Sequence, residues 1–225
     1  MEFKTKSGKV LTLTDRKVIN NYDSLFHSSV NIRDSSRSYR IMKKWSRSIA
    51  VVVGANNALG FEICKQLSKT GVTVVGFDIE TIKIDELKIN NESLKVFSVL
   101  CDVTDDDETE IAFQWVEETL GGVDILIVCL EPHDAKLRIK KKIESRYKSI
   151  TLCSKLAEKS MKIRGNYGYI MTIDSTGNHL DRTDNNKNCQ TQNDKIRYMN
   201  IVTNKDNFEE VGDSVVKILS APLIK

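Results

Sequence analysis

The sequence predicts an α/β fold, a doubly wound parallel sheet with helices on both of its faces. Short apolar, β-branched runs recur along the chain, as is typical of strands that are buried on both sides. Segments with helical periodicity separate these runs, which is the alternation expected of parallel strands joined by right-handed crossovers. A glycine-bounded turn at Gly54–Gly60 lies between the first long run and the first helix. These three observations predict the fold class before any residue is assigned a role.

The residues at the ends of the elements support this assignment. Gly71 and Gly121 fit the ends of two helices, since glycine readily adopts the left-handed conformation that closes a helix. We predict that Thr104 is an N-cap, and the acidic residues after it favour the positive end of the helix dipole. The predicted strands are 48–53, 72–77, 94–100, 123–130 and 169–173, and the predicted helices are 61–69, 82–87, 105–120 and 140–163.

The chain divides into two parts near residue 46. Residues 1–46 contain ten Lys and Arg against four Asp and Glu and show little periodicity, so we predict a basic, mobile N-terminal extension. We favour a solvated arm for it over contact with an acidic surface. Residues 47–225 form the predicted Rossmann-like domain, truncated after the fifth strand, in which the polar segment 181–195 is an irregular loop. A strand at 196–202 and a helix at 208–219 close the chain.

Composition and charge narrow the functional classes. The formal net charge is +3, which gives no general case for nucleic acid as a partner. The sequence contains no apolar run of the roughly 18 residues that a membrane span needs, and its start lacks the apolar core of a secretory signal. The five cysteines are scattered and the three histidines are isolated, so we predict reduced thiols, no metal site and a cytoplasmic location.

The turn between the first strand and the first helix has the chemistry of a phosphate site. Gly54 lets the chain leave the strand where a Cβ would obstruct it, and Gly60 allows close packing of helix and strand. Backbone N–H groups at the start of the helix then face a pyrophosphate, and the helix dipole favours its negative charge. We therefore predict that a nucleotide cofactor is bound by Gly54, Asn56, Asn57, Leu59 and Gly60.

Asp78 stands at the end of the second strand and bears on the choice of cofactor. A carboxylate at this position can accept hydrogen bonds from both ribose hydroxyls of NAD and would repel the 2′-phosphate of NADP. The alternative is that Asp78 only caps the following helix. We favour ribose binding, and with it NAD rather than NADP.

Three stretches of the chain resemble the short-chain dehydrogenases/reductases. The turn Gly54–Gly60 is similar to the family's Gly-x-x-x-Gly-[Ile/Leu]-Gly motif, with Ala58 in place of the middle glycine. Cys101-Asp102-Val103 resembles the pair that follows the family's third strand, which implies that Asp102 and Val103 bind adenine. The run 117–126 is typical of the approach to the fourth strand.

The resemblance extends to the start and the end of the domain. Residues 45–126 resemble the farnesol-dehydrogenase-like branch, whose chains begin just before a Trp-Ser pair like Trp45-Ser46, so we expect residues 1–41 to be an added leader. The segment 208–222 is similar to the family's late helix. The resemblance implies an NAD(P)-dependent oxidoreductase that acts on an alcohol or carbonyl substrate.

The resemblance fails at the residues that would carry the reaction. Val128-Cys129-Leu130-Glu131 stands where the family has Asn-Asn-Ala-Gly, and Arg146 falls at the active-site Asn. Ser175 matches the catalytic serine, although an ordinary place at the end of a strand fits it equally well. The family's Tyr-x-x-x-Lys pair, whose Tyr is the general acid/base, should follow Ser175, yet residues 176–197 contain no tyrosine.

These observations leave three hypotheses. The chain is an oxidoreductase of this family with little or no turnover, or a nucleotide-binding pseudoenzyme that acts through a protein partner, or an incomplete product whose sheet folds poorly. The first two require a dinucleotide, and the first also requires a small alcohol or carbonyl substrate. Because family members dimerise through helices that include the catalytic one, its loss puts a homodimer in doubt.

Overall fold

The structure is a computed structural model that describes residues 2–4, 10–12, 45–90, 94–129, 139–165, 167–174, 195–202 and 208–220. No helix in these ranges has the length and apolar character needed to cross a bilayer. The strands are β1 (Glu2–Lys4), β2 (Val10–Thr12), β3 (Ile49–Val53), β4 (Thr73–Asp78), β5 (Val96–Leu100), β6 (Ile125–Val128), β7 (Gly168–Asp174) and β8 (Ile196–Val202). The helices are α1 (Ala58–Ser68), α2 (Ile82–Asn90), α3 (Asp106–Leu120), α4 (Ile139–Arg164) and α5 (Phe208–Ser220).

Six parallel strands form the central sheet, in the spatial order β5-β4-β3-β6-β7-β8. Counted along the chain from β3, this is the strand order of doubly wound dinucleotide-binding folds. The direction of winding reverses between β3 and β6, and such folds bind their ligands in the crevice beyond the carboxyl ends of these two strands. The predicted fold class is therefore confirmed.

The sheet continues past β7, because β8 pairs with it in parallel along its whole length. The strand predicted at 196–202 is therefore present and is the sixth strand of the sheet. Residues 175–194 connect β7 to β8 and lie outside the described residues. The predicted loop at 181–195 falls there except for Lys195, and the truncation predicted for this part of the fold stays a prediction.

Helices cover both faces of the sheet and create two apolar cores. The first core lies under α1, α2 and α5 and includes the buried side chains of Ile63, Ile84 and Val215. The second lies under α3 and α4 and includes Val116 and Ala157. Successive residues of a strand point into opposite cores, and this explains why the strand sequences are apolar throughout instead of alternating.

Trp45, two residues before the predicted start of the domain, packs against two distant parts of the fold. Its indole Nε1 donates a hydrogen bond to the carbonyl oxygen of Leu219 at 2.8 Å. The ring also packs edge-on against Tyr169, with the ring centroids 5.5 Å apart. Trp45 is only 3% exposed, so its side chain is part of the first core.

Two short strands lie within the segment 1–46. β1 and β2 pair in antiparallel fashion, with Phe3 opposite Leu11. This pair was not predicted, because each strand is only three residues long and neither gives a detectable periodicity. The mobility predicted for the segment stays a prediction.

The start of α3 corrects one prediction. Asp105 is the N-cap, since its side chain accepts hydrogen bonds from the backbone N–H groups of Asp107 at 3.0 Å and Glu108 at 3.2 Å. The prediction of Thr104 as the N-cap was wrong. Its hydroxyl instead donates to Oδ1 of Asp102 at 2.7 Å, which engages Thr104 in the turn that precedes the helix.

Candidate functional site

The candidate site lies at the carboxyl ends of β3 and β6, where Gly54 turns the chain with a φ of +78°. A Cβ at Gly54 would stand 2.4 Å from the carbonyl oxygen of Cys129, the residue that follows β6. A Cβ at Gly60 would stand 2.0 Å from the carbonyl oxygen of Gly54. Both positions therefore require glycine on steric grounds. Their predicted role in binding a cofactor is a separate matter and stays a prediction.

Asn57 holds the turn on two sides. Its Oδ1 accepts a hydrogen bond from the N–H of Gly60 at 2.7 Å, which makes Asn57 the N-cap of α1. Its Nδ2 donates to the carbonyl oxygen of Cys129 at 2.5 Å. Helix α1 therefore begins at Ala58, earlier than the predicted Phe61, and the amide of Asn57 ties its first turn to the end of β6.

The first amides of α1 divide into two engaged groups and two open ones. Asn57 accepts the N–H of Gly60 through its side chain and the N–H of Phe61 through its carbonyl. Within the described part of the chain, the N–H groups of Ala58 and Leu59 have no acceptor. The start of a helix leaves such donors unsatisfied by its own backbone, and they are the groups that bind anions.

Asp78 ends β4 and supports the turn from the side. Its Oδ2 accepts the N–H of Asn56 and its Oδ1 accepts the N–H of Ile79, each at 2.8 Å. Neither bond reaches α2, which begins at Ile82, so the alternative role of Asp78 as the cap of that helix is not observed. An ionised carboxylate has about four lone-pair sites, and both oxygens of Asp78 therefore retain capacity for a ribose hydroxyl.

A second carboxylate lies on the other side of Asn56. The side-chain Nδ2 of Asn56 donates to Oε2 of Glu80 at 3.3 Å, and its Oδ1 accepts the N–H of Lys83 at 3.1 Å. We refer to Asn56, Asp78, Glu80 and Lys83 as the Asn56 cluster. The sequence analysis assigned Asn56 to the turn and did not single out Glu80 or Lys83, since the side-chain contact of Asn56 crosses from one element to another.

Asp102 follows β5 at the same edge of the sheet, because Asp78 is paired with Leu100 in the parallel register. Its Oδ1 accepts both the N–H and the hydroxyl of Thr104, at 2.9 and 2.7 Å. Its own N–H donates to the side chain of Glu108 at 3.0 Å. Val103 beside it is buried. The structure thus brings the residues predicted for the adenosine side to the same end of the sheet as the glycine turn.

The cysteines near the turn are poor nucleophiles. Burial raises the pKa of Cys64 well above its ordinary value, and the neighbouring Cys129 and Asp78 raise it further. Only the thiolate is the reactive form, so a raised pKa keeps Cys64 in its unreactive form near neutral pH. Cys129 also lies in the first core, where the residue is 1% exposed, and its backbone carbonyl accepts the hydrogen bond from Asn57.

The positions of several residues singled out for the reaction stay untested. Leu130, Glu131 and Ser175 lie outside the described residues, so the structure does not test their positions. Arg146, which stands where the family has its active-site Asn, is half-buried on α4. The residues predicted for the phosphate and adenosine side are therefore the ones that the described part of the chain brings together.

A parallel sheet in this strand order, with a glycine turn at its switch point and carboxylates after the next two strands, defines an NAD(P)-binding α/β protein of the Rossmann-like class. Sequence comparison narrows the class to one family. The family model for short chain dehydrogenases matches residues 48–184, which is more than half of the chain. The chain belongs to the short chain dehydrogenase family, as predicted.

Known relatives agree with this assignment. Farnesol dehydrogenase of Aedes aegypti is 33% identical over 149 residues, which are 61% of this chain and 61% of that protein. (+)-Neomenthol dehydrogenase of Arabidopsis thaliana is 40% identical over 87 residues, which are 35% of this chain and 28% of that protein. The chain thus matches less than two thirds of the length of either relative.

A solved structure shares the fold. The crystal structure of a metagenomic short-chain oxidoreductase in complex with NADP superposes with a TM-score of 0.66 and 16% sequence identity. The match covers 80% of this chain and 93% of that chain. At this level of identity the likeness bears on the fold alone.

Proposed function

We propose that the chain binds NAD at the Gly54–Gly60 turn and is an oxidoreductase for an alcohol or carbonyl substrate with little or no turnover. One observation carries the binding part of the proposal. The N–H groups of Ala58 and Leu59, which have no acceptor among the described residues, lie on the same Gly54–Gly60 turn as Asn56, whose own N–H donates to the Asp78 carboxylate. Donors for a phosphate and an acceptor for the ribose hydroxyls are therefore joined through one turn.

Each part of the adenosine half of NAD has a matching group. The pyrophosphate would be held by the N–H groups of Ala58 and Leu59, with the dipole of α1 adding to the attraction. The ribose hydroxyls would donate to Asp78, and the adenine would lie against Asp102 and Val103. NAD, when bound, supplies the hydride acceptor for oxidation of an alcohol. Asp78 also supports NAD over NADP, because its charge opposes a 2′-phosphate.

The low turnover follows from the reaction half of the site. The family's general acid/base is a tyrosine, and residues 176–197 contain none. Loss of a general acid/base lowers a rate by about 10²- to 10⁴-fold. The substrate class is proposed from relatives named for alcohols, a farnesol dehydrogenase and a neomenthol dehydrogenase.

Binding of NADH followed by titration calorimetry tests the first part. We expect saturable binding by the chain and at least about a tenfold weaker affinity in Asp78→Ala, because a charge-assisted hydrogen bond is lost. Asp213→Ala is the matched control, since Asp213 is an exposed carboxylate on α5. If the unaltered chain binds no NADH at millimolar concentration, the binding proposal fails.

Reduction of NAD with farnesol and simple secondary alcohols tests the second part. We expect no turnover, or a rate far below the roughly 10 per second that is usual for enzymes. A rate near one per second would contradict the proposal of low turnover without affecting the binding proposal.

A second function is that of a pseudoenzyme acting through a protein partner. It rests on the same two observations, namely that groups suited to bind NAD are present and that residues 176–197 contain no tyrosine. It predicts that complexes of the chain in cell extract depend on NADH and are lost in Asp78→Ala but not in Asp213→Ala.

We also propose a cytoplasmic location, which fluorescence microscopy of the tagged chain would test. A homodimer stays in doubt, and sedimentation of the purified chain would decide it.

A further inference from the structure

We propose that Glu80 is a specificity-determining residue which, held by Asn56, excludes the 2′-phosphate of NADP from the ribose end of the site. The inference rests on the proposed NAD site and adds a second carboxylate to it. Its basis is the Asn56 cluster, in which one residue of the glycine turn contacts two acidic side chains and the start of a helix.

The position of Glu80 is set by Asn56. The backbone N–H of Asn56 donates to Asp78 and the side-chain amide of the same residue donates to Glu80. The two carboxylates therefore flank a single residue. Because the ribose is proposed to bind Asp78, a phosphate on its 2′-oxygen would meet the charge of Glu80 as well.

One amide at the start of the helix that follows is already engaged by the cluster. The N–H of Lys83 is one of the first amides of α2, the kind of donor that binds an anion. The Oδ1 of Asn56 already accepts it at 3.1 Å. Lys83 contributes one exposed cation to the cluster, against the two anions Asp78 and Glu80. The net charge of the cluster is therefore negative, which opposes a doubly charged phosphate.

Glu80 is exposed, so its effect is a screened charge–charge repulsion of moderate size. The 2′-phosphate carries a charge of about −2. Its repulsion by the Glu80 carboxylate across several ångströms of a water-like dielectric, reduced by salt, corresponds to roughly a three- to tenfold change in the affinity for NADPH. The effect acts on NADPH and leaves NADH nearly unchanged. A purely structural role of Glu80 would weaken both ligands alike.

The experiment compares the dissociation constants of NADPH and NADH, measured by titration of ligand fluorescence, in the full chain and in Glu80→Gln. We expect the ratio of the dissociation constant of NADPH to that of NADH to fall about three- to tenfold in Glu80→Gln. Glu86→Gln removes the same charge from an exposed position further along α2, and we expect its ratio to change less than about twofold. Higher salt should lower the ratio of the unaltered chain more than that of Glu80→Gln.

Asn56→Ala tests how Glu80 is held. We expect the ratio to fall in this variant as well, because the side-chain amide that orients Glu80 is gone, and a thermal melt will show whether the chain is still folded. An unchanged ratio in Glu80→Gln, with NADH binding intact, would overturn this inference and leave the proposed function standing. Absence of binding of both dinucleotides by the unaltered chain would overturn the proposed function and this inference together.

Discussion

The two strands that meet at the switch point, β3 and β6, are both fully buried, but the carboxyl ends of the strands on the two sides present different groups. On the adenosine side, β3 and β4 end in polar groups that bond to one another, with Asn56 joined to Asp78. On the other side, β6 is followed by Cys129, which is buried in the first core. Farther along, β7 and β8 share a hydrogen bond from the Thr172 hydroxyl to the side chain of Asn200. The buried apolar residues within the strands maintain the sheet on both sides. The chemistry at the carboxyl ends depends on other residues, those that follow the strands.

Gly54→Ala is expected to have the largest effect on this comparison, because Gly54 joins the two sides. We expect the free energy of unfolding to fall by at least about 3 kcal/mol, from the left-handed backbone conformation together with the overlap of the new Cβ with the Cys129 carbonyl. Urea denaturation measures the change.

The matched control for this variant is Gly121→Ala. Gly121 also has a positive φ, of +90°, but a Cβ there would have no heavy atom within 4 Å. Gly121→Ala should therefore lower the free energy of unfolding only by the cost of the left-handed backbone conformation, about 1–2 kcal/mol. Equal losses in the two variants would show that the contact between the turn and β6 adds nothing to the stability.

Asn57→Ala should have the next largest effect, because it removes both the N-cap of α1 and the bond across the switch point. We expect a loss of about 2 kcal/mol, roughly half from each bond. Asn57→Ser is the informative partner variant, since a serine can cap the helix but is too short to reach Cys129. Thermal and urea unfolding of both variants give the comparison. If Asn57→Ser loses as much stability as Asn57→Ala, the link to Cys129 is the dominant contribution and the cap is a minor one.

The smallest expected effect is the pH dependence of the free energy of unfolding that comes from the buried thiols on the two sides of the switch point. Burial raises the pKa of Cys153 on α4 from 9.0 to about 12. The unfolded chain therefore loses this proton above pH 9 while the folded chain keeps it, and the free energy of unfolding decreases as the pH rises. The slope from this group is at most about 1.4 kcal/mol per pH unit between the two pKa values, and below pH 9 its contribution is constant.

Urea denaturation at pH 8 and pH 10 checks this expectation. Cys153→Ala should lose about 1.4 kcal/mol less over this interval than the unaltered chain. Cys64→Ala gives the same test on the adenosine side, since burial raises the pKa of Cys64 also. The same pH dependence in a variant and in the unaltered chain would contradict the role of that thiol.

The elements of the fold could be predicted because their causes are local. The β-branched runs and the helix-ending glycines lie next to the structure they produce, and the strand at 196–202 was predicted with its observed bounds. The N-cap of α3 was assigned to Thr104 instead of Asp105, because both residue types can cap and only the three-dimensional turn decides between them.

The contacts that build the site could be predicted only in part. Gly54 and Gly60 were singled out from the turn pattern, and Asp78 from its place at the end of a strand. The bond from Asn57 to Cys129 joins residues 72 positions apart, and no periodicity or spacing carries information about such a pair. The role of Glu80 was missed for the same reason, since it depends on the direction in which the side chain of Asn56 leaves the turn.

The hydrogen bond from Trp45 to Leu219 has a consequence for the synthesis of the chain. The two residues are 174 positions apart, so Trp45 leaves the ribosome long before its acceptor is made. Until α5 emerges, the indole and the first core beneath that helix are open to water and to other chains. Helix α5 therefore covers the first core only late in translation, and the exposed apolar surface makes the nascent chain prone to aggregate until then.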